Sequence, residues 1–196
     1  VGVAAGRTGV FGGAFDPPHV GHVALAATAI GHFRLDRLLV RVVADPGHKS
    51  LDTAAQVRLR LAELAFAPLA EAEVSLDPYP RTVDSLEALG LDDPVFLVGA
   101  DEFADFLGWK EPERVLELAR LGVATRPGTD HAGVDRVLAS LSRPDRVELF
   151  AIEPLDVSSS GIRARVAAGE PLDGLLPPPV AAELERLGLY ASMSRP

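Results

Sequence analysis

The chain is 196 residues long, 47% hydrophobic and 24% charged, with a formal net charge of −9 and no cysteine. That length admits one α/β domain with a sizeable core, in a composition ordinary for globular proteins. It excludes disulfides and thiolate catalysis, argues against general nucleic-acid binding, and offers no apolar run for a membrane span, so a cytoplasmic enzyme is the expectation.

Residues 1–6 and 191–196 carry no pattern and are expected to be flexible ends of a single domain over 7–190. Residues 8–11 read as a strand. They run into 10–22, VFGGAFDPPHVGH, and an alanine-rich apolar stretch follows to Phe33. That order is strand, tight loop, helix. Gly12 and Gly13 permit unusual backbone angles and close approach to a ligand. Pro17 and Pro18 delay the helix to about Gly21. Its free N–H groups and positive dipole end then face whatever the loop holds, which favours an anion. His19 and His22, three residues apart, can share one face. The pattern suggests a phosphate site; an ordinary strand–helix turn with incidental histidines is the plain alternative. No Gly-Lys-Ser/Thr follows the glycines, and their spacing is not Gly-x-Gly-x-x-Gly. Two histidines without cysteine are too few for zinc, so no protein-held metal is expected.

Residues 37–43 (RLLVRVV) read as the second strand. Lys49 lies in the following loop, as a phosphate ligand or a solvated surface charge; the only other lysine is Lys110. Asp52 or Thr53 can cap a helix to Phe66 with Val57, Leu61 and Leu64 at helical spacing. Residues 73–76 suggest a short strand, and Thr82 can cap a helix through Leu89. A buried strand at 95–98 ends at Gly99-Ala100-Asp101. A short helix over 102–107 precedes Trp109 and Lys110. Trp109 stands among turn and polar residues, so its ring is expected half exposed and able to face a ligand.

A helix over 113–119 and a strand over 121–125 follow, closed by Arg126-Pro127-Gly128. Residues 134–141 form an amphipathic helix, and 147–152 the last main strand. Ser158, Ser159 and Ser160 open a helix through Ala168, with Arg163 one turn on. Such a group suits phosphate oxygens, although one serine suffices as a cap. The final helix covers 179–187 and stops at Gly188. Strict alternation predicts a Rossmann-like, doubly wound parallel α/β sheet with right-handed crossovers. Ligands then sit beyond the carboxyl ends of the strands, where the informative loops converge.

Gly12-Gly13-Ala14-Phe15-Asp16-Pro17-Pro18-His19-Val20-Gly21-His22 resembles the first signature of the nucleotidyltransferase superfamily, which often has Thr or Ser where Ala14 stands. Ser158-Ser159-Ser160-Gly161-Ile162-Arg163 resembles its second, Ser-Ser-Thr/Ser-x-x-Arg. Pro46-Gly47-His48-Lys49, Thr82-Val83-Asp84-Ser85-Leu86, Gly99-Ala100-Asp101 with Trp109, and Arg126-Pro127-Gly128 resemble the nicotinate-nucleotide adenylyltransferase family. Pro80-Arg81 departs from that family's Ser-Tyr.

The resemblance implies transfer of the adenylyl group of ATP to nicotinate mononucleotide, with Mg²⁺ arriving on ATP. It implies catalytic roles for His19, His22, Lys49 and Arg163. ATP would be held by Gly12, Gly13, Phe15, His19, His22, Asp101, Arg126, Ser158, Ser159 and Arg163. The acceptor would be held by Gly13, Ala14, Lys49, Thr82, Trp109 and Lys110. Partners are these two nucleotides, with no nucleic acid and no membrane, and a homo-oligomer left open. The alternatives are a related transferase acting on nicotinamide mononucleotide or phosphopantetheine, and a nucleotide-binding module without catalysis.

Overall fold

The computed structural model describes residues 6–45, 53–128 and 131–191. Six strands form one sheet in the order β3-β2-β1-β4-β5-β6, every pair parallel. The strands are β1 (Thr8–Gly13), β2 (Arg37–Val43), β3 (Ala72–Asp77), β4 (Val95–Gly99), β5 (Arg120–Thr125) and β6 (Val147–Ala151). The helices are α1 (Val20–Phe33), α2 (Ala55–Phe66), α3 (Thr82–Leu89), α4 (Ala100–Phe103), α5 (Pro112–Leu118), α6 (His131–Ser140), α7 (Ser159–Ala168) and α8 (Pro178–Leu187). This is the expected doubly wound sheet. The order reverses between β1 and β4, so the crevice falls at the end of the glycine-rich strand.

Side chains alternate across each strand and divide the core into two layers. Phe11, Leu38, Val40, Val42 and Leu97 pack with Ala26 and Ala29 of α1, Leu61 and Phe66 of α2, Ile162 of α7 and Leu184 of α8. Val10, Phe96, Val98 and Val123 pack with Val83 and Leu86 of α3, Phe103, Val115 and Val137. Both faces are therefore covered, as an all-parallel sheet requires. Among the described residues, no helix is long and apolar enough to cross a membrane.

Several boundaries differ from expectation for local reasons. β1 runs on through Gly12 and Gly13, because both pair in register with Arg41 and Val42. α1 starts at Val20, with His19 as N-cap, rather than at Gly21. Thr82 is the first residue of α3 and Arg81 its cap position. Thr53 does not cap α2, whose N-cap is Ala54; Asp52 lies outside the described residues. The helix expected over 102–107 divides into α4 and a tighter turn at Phe106–Gly108. That break lets Phe103 and Phe106 both enter the core, stacked at 5.6 Å.

Arg58 is the unexpected member of the interior. It occupies a buried position of α2, in phase with Leu61, Ala62 and Ala65, and is 1% exposed. Its Nη1 donates to the carbonyls of Ala14 and Val43, both at 2.8 Å. Nη2 donates to Ala44 O at 2.8 Å, and Nε to Thr53 O at 3.1 Å. Burial pulls its pKa below the ordinary arginine value, while Asp16, Tyr190 and Asp45 act the other way.

Replacing Arg58 with methionine strands these partly buried acceptors, at about 1–3 kcal/mol for each one left unpaired away from water. Arg58→Met is expected to lower unfolding stability by at least about 3 kcal/mol, read from the urea midpoint at constant slope. Arg58→Lys should recover only part, because one ammonium cannot span the cage. A loss below about 1 kcal/mol in the methionine variant would mean that water replaces the guanidinium without penalty.

Candidate active site

The loop from β1 to α1 is shaped by its own packing. Gly12 and Gly13 keep strand geometry, and the residue in the left-handed region is Phe15, at φ 49°. A bulky residue there is strained, and its surroundings must hold it. The Phe15 ring is buried edge-on among Phe11, Phe66 and His22, at 5.5, 5.5 and 5.1 Å. Its ring is thus core, not a ligand-facing surface. A Cβ on Gly13 would stand 3.0 Å from that ring, so glycine here serves close approach rather than unusual angles.

His19 and His22 are together as the spacing implied. Their rings stack at 3.7 Å with 26° between planes. The His19 backbone N–H donates to His22 Nδ1 at 3.2 Å. That bond places the proton of neutral His22 on Nε2, leaving Nε2–H as its donor. Burial lowers the His19 pKa to about 4. Burial, then the neighbouring His19, takes His22 well below its ordinary value. Both rings are therefore neutral at physiological pH, and they offer N–H donors rather than positive charge. His19 Nδ1 is buried with no hydrogen-bond partner.

The second serine–arginine stretch meets this loop directly. Ser159 Oγ donates to Pro17 O at 2.8 Å, and Arg163 Nη1 to Asp16 O at 2.7 Å. Ser158 is the N-cap of α7, its Oγ accepting from Gly161 N at 3.1 Å. Residues near the C-terminal end complete the clamp. Tyr190 donates to Asp16 Oδ1 at 2.6 Å, and Val20 N to Leu175 O at 3.1 Å. Burial and the Asp16 carboxylate push the Tyr190 hydroxyl pKa up, so it stays protonated.

A second group forms across the next two strand ends. Arg126 Nη2 donates to Asp101 Oδ2 at 3.1 Å and Nη1 to Leu155 O at 3.2 Å. These bonds join the start of α4 to the segments after β5 and β6. Lys49 lies outside the described residues.

Between β1, β2 and α3 opens a pocket of about 800 Å³. Gly12, Gly13, Ala14, Thr82, Trp109 and Lys110 border it, so the expected acceptor residues in the described chain share one cavity. Trp109 is half-buried, edge-on to Phe106 at 5.2 Å and to Phe96 at 6.2 Å. Lys110 Nζ is bonded to Asp84 at 2.6 Å, at the start of α3. The pocket also holds Arg41, Asp77, Ser85 and Phe96, which sequence reasoning did not pick out. A signal for Arg41 existed: it is the one charge among the apolar residues 38–43, LLVRVV. Asp77 gave none and Ser85 stood only inside the Thr82–Leu86 stretch, since their bond at 2.5 Å joins two elements. Among the described residues, no three histidines or carboxylates gather as a metal site.

A family model described as cytidylyltransferase-like matches residues 10–165. A relative from Bordetella avium, named probable nicotinate-nucleotide adenylyltransferase, is 36% identical over 192 residues, covering 94% of this chain and 98% of its own. A relative of the same name from Roseiflexus castenholzii is 35% identical over 204 residues, covering 96% and 100%. The solved structure of Plasmodium falciparum nicotinic acid mononucleotide adenylyltransferase complexed with NaAD has the same fold. Its TM-score is 0.77 at 17% identity, with 95% of this chain and 98% of that one covered. Both signatures, their meeting at one sheet edge and this near full-length likeness place the chain in the nicotinate-nucleotide adenylyltransferase family of cytidylyltransferase-like proteins.

Proposed function

We propose that this protein transfers the adenylyl group of ATP to the phosphate of nicotinate mononucleotide, giving deamido-NAD and pyrophosphate in NAD biosynthesis. The observation that carries the reading is the joining of the two signatures. His19 and His22 stand at the start of α1, and Ser159 and Arg163 grip the loop just before it. The aromatic-walled pocket opens from the same strand end. Residues 7–190 are read as one domain with this task.

The reaction needs no enzyme base. A phosphate monoester with a second pKa of about 6 is already mostly dianionic at neutral pH. One of its oxygens bonds to the α-phosphorus of ATP. The bond from that phosphorus to the bridging oxygen breaks, and the electron pair leaves with pyrophosphate. Catalysis is then alignment of two phosphates and stabilisation of developing charge.

His22 Nε2–H and the positive dipole end of α1 are assigned to the transferring phosphate. His19 joins them on the triphosphate. Ser158, Ser159 and Arg163 hold the leaving phosphates, and in this state Arg163 and Ser159 keep part of their bonding for the loop. Asp101 and Arg126 are placed on the ATP ribose and phosphates, and Lys49 on the acceptor phosphate. Thr82 and Trp109 flank the acceptor ring, with Lys110 fixing α3 through Asp84. Mg²⁺ bound to ATP would supply further charge neutralisation.

Pyrophosphate release is to be measured with ATP, Mg²⁺ and nicotinate mononucleotide, nicotinamide mononucleotide or phosphopantetheine. Release is expected with the first and much less with the others. No release with any acceptor would leave a binding module, and preference for phosphopantetheine would move the protein to another branch.

In the same assay, His22→Ala is expected to lower kcat about 10²-fold with little change in KM, as for loss of a donor used mainly in the transition state. Near-normal kcat would remove His22 from the chemistry.

The neutral state of the histidines is open to nitrogen-detected NMR. A folded-state pKa lowered below the unfolded value means that the proton binds only at acidic pH. His19 and His22 should show neutral ring shifts from pH 8 down to about 5, with His19 charging near 4. A midpoint near 6.5 for either ring would make it a cationic phosphate ligand instead.

A further inference from the structure

Arg41 sits midway along β2, between Val40 and Val42, which are both fully buried in the core. Alternation turns its side chain to the opposite face, toward the pocket. In register beside it are Gly12 on β1 and Ser75 on β3. Gly12 contributes no side chain, so the guanidinium borders open space on that side.

Its bonding is incomplete. Nη1 donates to Ser75 Oγ at 2.7 Å. Nη2 lies 3.4 Å from Asp77 Oδ1, longer than a good charge-assisted bond. Nε is buried with no partner, although the side chain is only 15% exposed. Asp77 is not free to complete the pair. It also accepts from Ser85 Oγ at 2.5 Å and from Tyr79 N at 3.1 Å. A guanidinium has five N–H donors in a planar fork, and most of these are in reserve here. Two more carboxylates, Glu102 and Asp105, line the pocket, but both are exposed residues outside this buried group.

Across the same pocket stand the rings of Phe96 and Trp109. Such a wall suits a flat ring, and an under-used guanidinium suits an anionic group carried on that ring. Resting on the adenylyl-transfer reading above, we propose that Arg41 is a specificity-determining residue that reads the carboxylate of the acceptor's pyridine ring. A carboxylate presents only acceptors to it and can be held bidentately. A carboxamide presents N–H groups toward N–H groups and brings no charge, so it is penalised. The guanidinium loses little when it turns from Asp77 toward the ligand, because that contact is long and one N–H is already unmatched.

The variants Arg41→Met and Arg41→Gln remove the charge at similar length, and glutamine can keep a bond to Ser75. For wild type and each variant, kcat/KM is measured with nicotinate and with nicotinamide mononucleotide, together with the KM for ATP and the melting temperature. Arg41→Lys is the charge-retaining control. The neutral variants are expected to lose at least tenfold in the nicotinate-to-nicotinamide ratio, through the nicotinate value, with ATP KM changed less than twofold. Lysine should keep an intermediate ratio.

If either folded neutral variant keeps the wild-type ratio within twofold, Arg41 only props Asp77 and the inference is overturned. Equal falls for both acceptors would equally mark it as structural support. A wild-type enzyme inactive on nicotinate mononucleotide would instead overturn the adenylyl-transfer reading itself.

Discussion

The carbonyls at the carboxyl ends of β1 and β2 leave the sheet with no strand beyond to pair them, and the guanidinium of Arg58 takes them up. A parallel sheet always faces this problem at the edge where it binds ligands. Here the solution is one cation from α2, shared among Ala14, Val43, Ala44 and Thr53. The bonds fix the first loop relative to the second strand end. They also explain how Phe15 is kept at positive φ, since its neighbour Ala14 is tied and its ring is locked among aromatics. A buried arginine is tolerable here because its N–H groups meet carbonyl dipoles, and the Asp16 and Asp45 charges favour its cation.

The same loop is gripped from the other end of the chain. Ser159, Arg163 and Tyr190 all bond to Asp16 or Pro17, across 142 to 174 residues of sequence. The second signature therefore has two tasks in one place. In the proposed reaction it offers hydroxyl and guanidinium groups to phosphates, and in the structure it holds the turn that presents His19. Truncation of the chain before Tyr190 would remove one hydrogen bond to the first loop as well as a tail.

Electrostatics at the site run against the simplest picture of a positive phosphate cradle. The chain carries −9 overall, and its two paired imidazoles are neutral. In the proposed reaction, attraction for phosphate comes from arginines and the helix start, with the imidazoles as neutral donors. Neutral donors in a buried setting cost less to hold together than two cations 3.7 Å apart would. In the proposed transfer they still align with the developing charge.

Much of this was legible in residues alone. Alternating apolar periods gave six strands and the doubly wound sheet, because a strand buried on both faces and an amphipathic helix each leave a local mark. The two signatures placed His19, His22, Ser159 and Arg163 at the carboxyl edge, since a phosphate loop needs its special residues close in sequence. Trp109 was expected half exposed from its neighbours, and it is. What only the tertiary structure decided is which distant groups share a bond. Arg58 falls in the buried phase of its helix, yet nothing local says which carbonyls it meets. Arg41 and Asp77 become neighbours of Ser75 and Ser85 through strand register and helix docking. α1 starts one residue before Gly21, and Thr53 and Thr82 do not cap α2 and α3, whose caps are Ala54 and Arg81. The charge state of the histidines followed from burial, which is a property of the folded whole and of no single stretch of sequence.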